Sequence, residues 1–340
     1  MGTKHHALVV GVGSIGERHL RCFQATGRAT AALVETDPQR RAAACQQYDV
    51  PGYESIDAAL ESDALGSSRI DLAVVATPAH LHIEQATRLA SRSIHVLIEK
   101  PLSTQLDDID CLAAAAAKHN VVVAVAYVYR CFPALAAMRH AICSGRFGRP
   151  IELVAAGGQH FPTYRPAYRQ TYYAARATGG GAIQDALTHV LNLGEWLVGP
   201  IDRLVADAAH QALPGVEVED MVHLLARHGE LPASYSLNQH QAPNENTVTV
   251  VCERGTVRWE SHLNRWRWTT RPDEPWHDET HEPQVRDAAF IAQAEAFMDA
   301  VEGRAVPPCS LTEGLQTLRV NLAALASLDS RRWERVGGAS

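Results

Sequence analysis

Short apolar runs and helix-like stretches alternate through the first third of the chain. Ala7–Gly13, Thr30–Glu35, Asp71–Thr77, Ser93–Glu99 and Val121–Tyr127 are rich in Val, Ile, Leu and Ala, the pattern of strands buried on both faces. Helical patterns start at Ser14 and Pro38 and cover Ala79–Ser91 and Gln105–His119 between them. This order predicts an α/β unit, a doubly wound parallel sheet with helices on both sides.

The pattern then changes. A helix is expected over Pro133–Cys143, and after Ile151 strands dominate: Ile151–Ala156, Ile201–Ala209, Met221–Arg227, Ala233–Gln239, Thr247–Glu253 and Thr256–Glu260. Glu253-Arg254-Gly255 reads as a hairpin turn, and Arg265–Thr270 alternates Arg and Trp as a half-buried strand does. Helices near Asp287–Glu302 and Glu313–Ser327 close the chain. The expectation is a Rossmann-type domain over 1–125 and an α+β domain with a large, mostly antiparallel open sheet over 126–340.

The 340 residues suit two domains, and 46% hydrophobic with 20% charged residues is ordinary globular composition. The net charge of −7 comes from mixed signs, so neither a basic nucleic-acid stripe nor a polybasic membrane patch is present. No apolar run reaches membrane-spanning length, and the N-terminus shows no signal-peptide core. Seven cysteines without a CxxC pair argue against a disulfide framework or zinc knuckle, and for reduced thiols in the cytoplasm. His5 and His6 are expected on a solvated terminus rather than as a metal pair, and no metal is expected.

Chemistry enters at Gly11-Val12-Gly13-Ser14-Ile15-Gly16, a GxGxxG match between a strand and a helix. Gly11 permits the tight turn, Gly13 lets backbone amides approach a pyrophosphate, and Gly16 allows close packing of helix on strand. Glu35, 19 residues after Gly16, ends the second strand, where an acid accepts bonds from ribose hydroxyls and repels a 2′-phosphate. That favours NAD, while Thr36, Arg40 and Arg41 keep NADP open. Asp37 competes with Glu35 but, followed by Pro38, also reads as a helix cap.

Lys100, in Glu99-Lys100-Pro101, follows an apolar strand and is directed at the ligand crevice of such a sheet. Farther on, Gly179-Gly180-Gly181 leads into a helix bearing Asp185, His189, Asn192 and Trp196. Spacings of four, three and four keep these on one face, suggesting a cleft wall.

Taken in order, GVGSIG, ATPAHLH at Ala76–His82, EKP at Glu99–Pro101, AYVYRCFPALAAMR at Ala126–Arg139, GGGAIQDALTH at Gly179–His189 and the Glu219-Asp220 stretch resemble the Gfo/Idh/MocA family over most of the chain. The resemblance implies NAD(P)-dependent oxidation of a ring hydroxyl on a sugar, polyol or sugar derivative. It assigns Lys100, Asp185 and His189 to proton transfer, with His189 or Lys100 as acid/base and Asp185 as its orienter. It puts Thr77, Pro78 and His80 beside the nicotinamide half of the cofactor, with Glu99 and Lys100 adjoining. It also implies a homodimer or homotetramer assembled through the C-terminal sheet. Asn192 stands where many members carry an acid, which leaves open which substrate hydroxyl meets it. Tyr127 joins Lys100, Asp185, His189 and Asn192 as a candidate substrate contact.

Gln159–Thr178 reads as a long loop rich in Tyr and Arg, either a substrate lid or an arm against a neighbouring subunit. His160, Arg165 and Arg169 are its candidate substrate contacts. Two other functions fit the same motifs: a redox-neutral enzyme that oxidises a sugar transiently on tightly bound NAD, and a non-catalytic dinucleotide sensor.

Overall fold

The computed structural model describes residues 4–62, 69–281 and 286–337. Contacts divide the chain into two compact units, Met1–Val128 with Val285–Gly314, and Tyr129–Gln284 with Leu315–Ser340.

The first unit runs β1 (His5–Val10), α1 (Ser14–Ala25), β2 (Ala29–Val34), α2 (Pro38–Tyr48), β3 (Gly52–Tyr53), α3 (Ile56–Leu60), β4 (Leu72–Val75), α4 (His82–Ala90), β5 (His95–Ile98), α5 (Ile109–His119) and β6 (Val123–Val125). The strands order β3-β2-β1-β4-β5-β6 and all pairs are parallel. Every residue of β4 is buried, as the unbroken apolar run requires. Chain order reverses between β1 and β4, so the loops after these two strands flank the crevice where such sheets take ligands.

The domain boundary read from the sequence needs one correction. The helix expected near Asp287–Glu302, α9 (Ala288–Val301), belongs to the first unit. Its Ala294, Phe297 and Met298 share a core with Leu20 and Phe23, and Arg21 grips Asp287 with two bonds of 2.5 and 2.9 Å. An amphipathic pattern marks the face a helix buries, not the sheet it covers. His5 also departs from expectation. It is buried in β1 between Asp71 (2.5 Å) and Glu302 (2.9 Å), while His6 pairs with Thr30 (2.6 Å).

In the second unit, α6 (Pro133–Cys143), β7 (Pro150–His160), α7 (Phe161–Tyr164), α8 (Thr188–Val198), β8 (Arg203–Ala209), β9 (Met221–His228), β10 (Leu231–Asn238), β11 (His240–Cys252), β12 (Gly255–Glu260), β13 (Arg265–Thr269) and β14 (His277–Thr280) precede α10 (Leu311–Ser330) and β15 (Glu334–Arg335). The sheet order is β14-β13-β12-β11-β7-β10-β9-β8-β15, and only β7–β10 is parallel among the described pairs. Inward residues such as Leu153, Leu224, Tyr235, Val250 and Trp259 form one core with Leu135 and Met138 of α6, Leu191 of α8 and Val320 of α10. The outward row is Val205–Leu225–Ser234–Val154–Thr249–Arg258–Arg267–Asp278, apolar at one end and charged at the other. Among the described residues no helix is long and apolar enough to cross a membrane.

Candidate active site

The glycine loop has the geometry its motif requires. Gly11 takes φ +85, and a Cβ on Gly16 would collide with the Gly11 carbonyl oxygen. Beside Gly13, by contrast, there is open space, and as the cap of α1 it offers no side chain to the first-turn amides. A turn with bare amides at a helix N-terminus fits a pyrophosphate. Ser14 and Ile15 begin that helix. At the end of β2, Glu35 is buried and its carboxylate accepts from Val12 N (3.2 Å), Asp37 N (3.0 Å) and Arg40 (3.4 Å). Asp37 is the cap of α2, accepting from Gln39 N (2.9 Å) and Arg40 N (2.8 Å).

The loops after β4 and β5 are tied together. The buried His82 reaches Thr77 O (2.8 Å) and Pro101 O (3.1 Å), and Thr77 donates to Gln85 (2.7 Å). Pro78 and His80 are exposed on the turn between them. Lys100 follows β5, its peptide bond to Pro101 is cis, and its N–H donates to Glu99 (3.0 Å). Glu99 is itself buried against His19 of α1 at 2.6 Å. Burial pushes the Glu99 carboxyl up, but the bond and charge of His19, with Lys100, outweigh it and hold the group below the usual carboxylate range. Tyr127 is buried just after β6.

In the second unit, a five-residue π-turn, Ile183–Leu187, separates the glycine run from α8. Such turns favour functional sites because they re-aim side chains. Asp185 in this turn accepts from Tyr172 Oη (2.6 Å), and His189 stacks on Tyr129 with ring centres 5.0 Å apart. The polar face of the helix divides beyond this point. Asn192 is buried, accepting from Arg130 (2.9 Å) and donating to Thr317 (2.9 Å), and Trp196 lies against Arg130 and Arg139. The side chain of Asn192 thus belongs to an internal network that continues to Glu195, whose carboxyl burial pushes up.

The stretch expected as a plain loop is built of short helical turns around its own small core. Phe161, Tyr168 and Tyr173 pack with Leu213, Val216 and Val218. Tyr173 bonds Gln239, and Arg176 pairs with the buried Glu219 (3.0 Å), whose carboxylate fills the space beside Gly181. Arg169 is engaged as a brace, donating to Pro214 O (2.7 Å) and lying over Tyr168. The exposed Arg165 makes no side-chain hydrogen bond or ion pair among the described residues, and His160 pairs with Thr163 (2.7 Å) beside His240. His19, His82 and Tyr129 were not singled out from the sequence as functional, and Tyr172 stood there only as one of the tyrosines of the loop. The signal for His19 was its place three residues after Gly16, on the face of α1 that packs against the sheet, where a buried imidazole demands a partner.

Both halves of the chain match one family. Residues 5–127 match its oxidoreductase domain, described as an NAD-binding Rossmann fold, and residues 135–258 match its C-terminal domain. The chain belongs to the Gfo/Idh/MocA oxidoreductase family. A 1,5-anhydro-D-fructose reductase of Ensifer adhaerens is 30% identical over 218 residues, 63% of each chain. The chain spans less than two thirds of the length of the curated relatives it first matches. The WlbA dehydrogenase of Bordetella pertussis, solved with NADH and UDP-GlcNAcA, is 25% identical with a TM-score of 0.82 and covers 99% of both chains. A levoglucosan dehydrogenase solved with NADH has a TM-score of 0.87 over 98% of this chain and 99% of that one; at 20% identity it speaks for the fold.

Proposed function

We propose that this Gfo/Idh/MocA protein transfers a hydride between NAD and a ring hydroxyl of a sugar, polyol or sugar derivative. The observation that carries the reading is Lys100 at the carboxyl end of β5 in an NAD-binding Rossmann sheet. The reductase named for 1,5-anhydro-D-fructose and the dehydrogenase solved with UDP-GlcNAcA support the substrate class. The nicotinamide, when bound, supplies the hydride chemistry. The glycine loop and Glu35 would hold the dinucleotide, and Glu35 favours NAD over NADP. Oxidising an alcohol requires a base for its proton, and His189 or Lys100 has the chemistry for it, with Asp185 orienting the set. Arg165, His160 and Tyr127 remain candidate substrate contacts; Arg169 and Asn192 act through the neighbours they brace.

The same reading places the enzyme in a reducing compartment, the cytoplasm, which its seven free cysteines support. It assembles into a homo-oligomer through the outer sheet face, where Leu225 is 54% and Val154 38% exposed in one continuous row.

The test is NADH absorbance with levoglucosan, myo-inositol, 1,5-anhydro-D-fructose and UDP-N-acetylglucosamine, with and without added NAD. K100A and H189A should each lower turnover ~10²–10⁴-fold while NAD affinity stays near wild type. Wild-type turnover in either variant removes that residue from the mechanism. Sugar cleavage without net NADH would favour redox-neutral chemistry.

A further inference from the structure

Two buried histidines of the first unit have no part in the proton transfer proposed above. His19 is fully buried in α1, and its only hydrogen-bond partner among the described residues is the Glu99 carboxylate at 2.6 Å. The other oxygen of that carboxylate receives the Lys100 N–H at 3.0 Å. His82, equally buried at the start of α4, reaches Pro101 O at 3.1 Å and Thr77 O at 2.8 Å. Lys100 thus lies between two anchored neighbours: Glu99 fixed by His19 and Pro101 fixed by His82. Neither imidazole is needed to fill space alone, since an apolar side chain would fill these sites without the desolvation penalty. Each sets a ring nitrogen within hydrogen-bonding distance of an acceptor on a residue adjoining Lys100.

We propose that His19 and His82 are positioning residues that clamp the Glu99–Lys100–Pro101 turn from its two flanks and so set where the Lys100 ammonium is held. The clamp also connects three ligand-facing parts of the unit. His19 stands on the helix that opens at the glycine loop, and His82 binds the carbonyl of Thr77 after β4. A displacement of about 1 Å at a reacting group costs up to ~10²-fold in rate, so loss of either anchor should act on turnover more than on binding.

The inference rests on the role given to Lys100, and the experiment separates the two. H19L, H82L, H19Q, H82Q, K100A and the doubles K100A/H19L and K100A/H82L are compared. The readouts are NADH binding by fluorescence, kcat and KM on whichever sugar of the panel is turned over, and crystal structures of the single variants. We expect H19L and H82L to lower kcat ~10–100-fold with KM and NADH affinity nearly unchanged, and Lys100 to be displaced in their crystals. H19Q, which keeps a donor to Glu99, should recover most of the loss. The doubles should be no slower than K100A, because positioning residues act only through the group they position. Full additivity with K100A, or crystals in which Lys100 keeps its place, would overturn the clamp. Wild-type turnover by K100A would instead overturn the role of Lys100, and the crystals would still decide whether the turn is clamped. Should H19L or H82L fail to fold, H19A and H82A, alone and combined with K100A, remove the same anchors and carry the same comparison.

Discussion

A methyl group on Gly16 has nowhere to go, because the carbonyl oxygen of Gly11 fills its place and the side chain of Ala76 lies next to it. G16A should therefore push α1 off β1, with a cost of ~1–3 kcal/mol, read as a lower melting temperature together with weakened NADH binding. That residue was legible, since a motif glycine between strand and helix has one packing explanation. Glu35 and Asp37 were also separable, because Asp-Pro before a helical pattern marks a cap and leaves Glu35 at the strand end. His5 was not legible. Its partners Asp71 and Glu302 are far along the chain, and a terminal histidine carries no local sign of burial. Buried imidazoles also set a pH dependence. Burial holds His82, His95 and His228 below the ordinary histidine value, with hydrogen bonds and nearby acids opposing it only in part. Their native forms bind fewer protons than the unfolded chain, so their stability contribution is full above ~6.5 and is lost as pH falls through their folded values. Glu195 has the opposite sign, because its raised carboxyl weakens the fold as pH rises. H228Q isolates one imidazole. Calorimetry between pH ~7.5 and ~5.5 should show a flatter fall in melting temperature for H228Q than for wild type; an unchanged slope would remove His228 from the account.

Most strands and the long helices were read from apolar runs and periodicity, and α6 and the hairpin joining β11 to β12 lie where the pattern put them, whereas the short strands β3, β14 and β15 carried no such signal. The stretch 159–178 was not, because three-residue helical turns have no period to detect and their apolar partners Leu213, Val216 and Val218 follow α8 and β8 in the chain. The π-turn before α8 escaped for a related reason: one extra residue in a turn leaves composition unchanged. It matters for Asn192 and Trp196, which share a drawn helical face with Asp185 yet are enclosed by Arg130, Arg139 and Thr317. These elements meet at Tyr172, whose hydroxyl donates to Asp185. Y172F removes that hydroxyl donor and keeps the ring. A hydrogen bond to a charged group is worth ~1.5–3 kcal/mol, so on the proposed role of Asp185 turnover should fall by roughly tenfold or more while NADH binding holds. Turnover equal to wild type would remove the Tyr172–Asp185 bond from the mechanism.

On the scale of the molecule, a doubly wound parallel sheet and a large, mostly antiparallel one were foreseeable from the alternation of strand and helix signals and its change after Ile151. Strand order within the second sheet was not, since β7 pairs with both β10 and β11, across long intervening segments. Its outer face is unequal. Toward β12 and β13, Arg258 and Arg267 lie against Trp276, whereas Leu225 and Val154 are exposed. The edge strand β14, His277-Asp278-Glu279-Thr280, is wholly exposed and charged, which suits a sheet that must not extend by edge pairing. Association should therefore use the face. L225E, a charge in the middle of the apolar row, should shift the protein to smaller species on a sizing column while leaving its melting behaviour close to wild type; an unaltered elution position would discard this face as the interface. The return of α9 to the first unit has a consequence in time. On a ribosome, β1 to β6 emerge well before α9, and Phe297 and Met298, which finish their core, come only after the intervening residues 129–284 have been made. At ordinary synthesis rates that delay is roughly 10–30 s. For that interval the nascent sheet carries an uncovered apolar seam beside α1, and the sheet made before the second unit is completed only after most of that unit has been made.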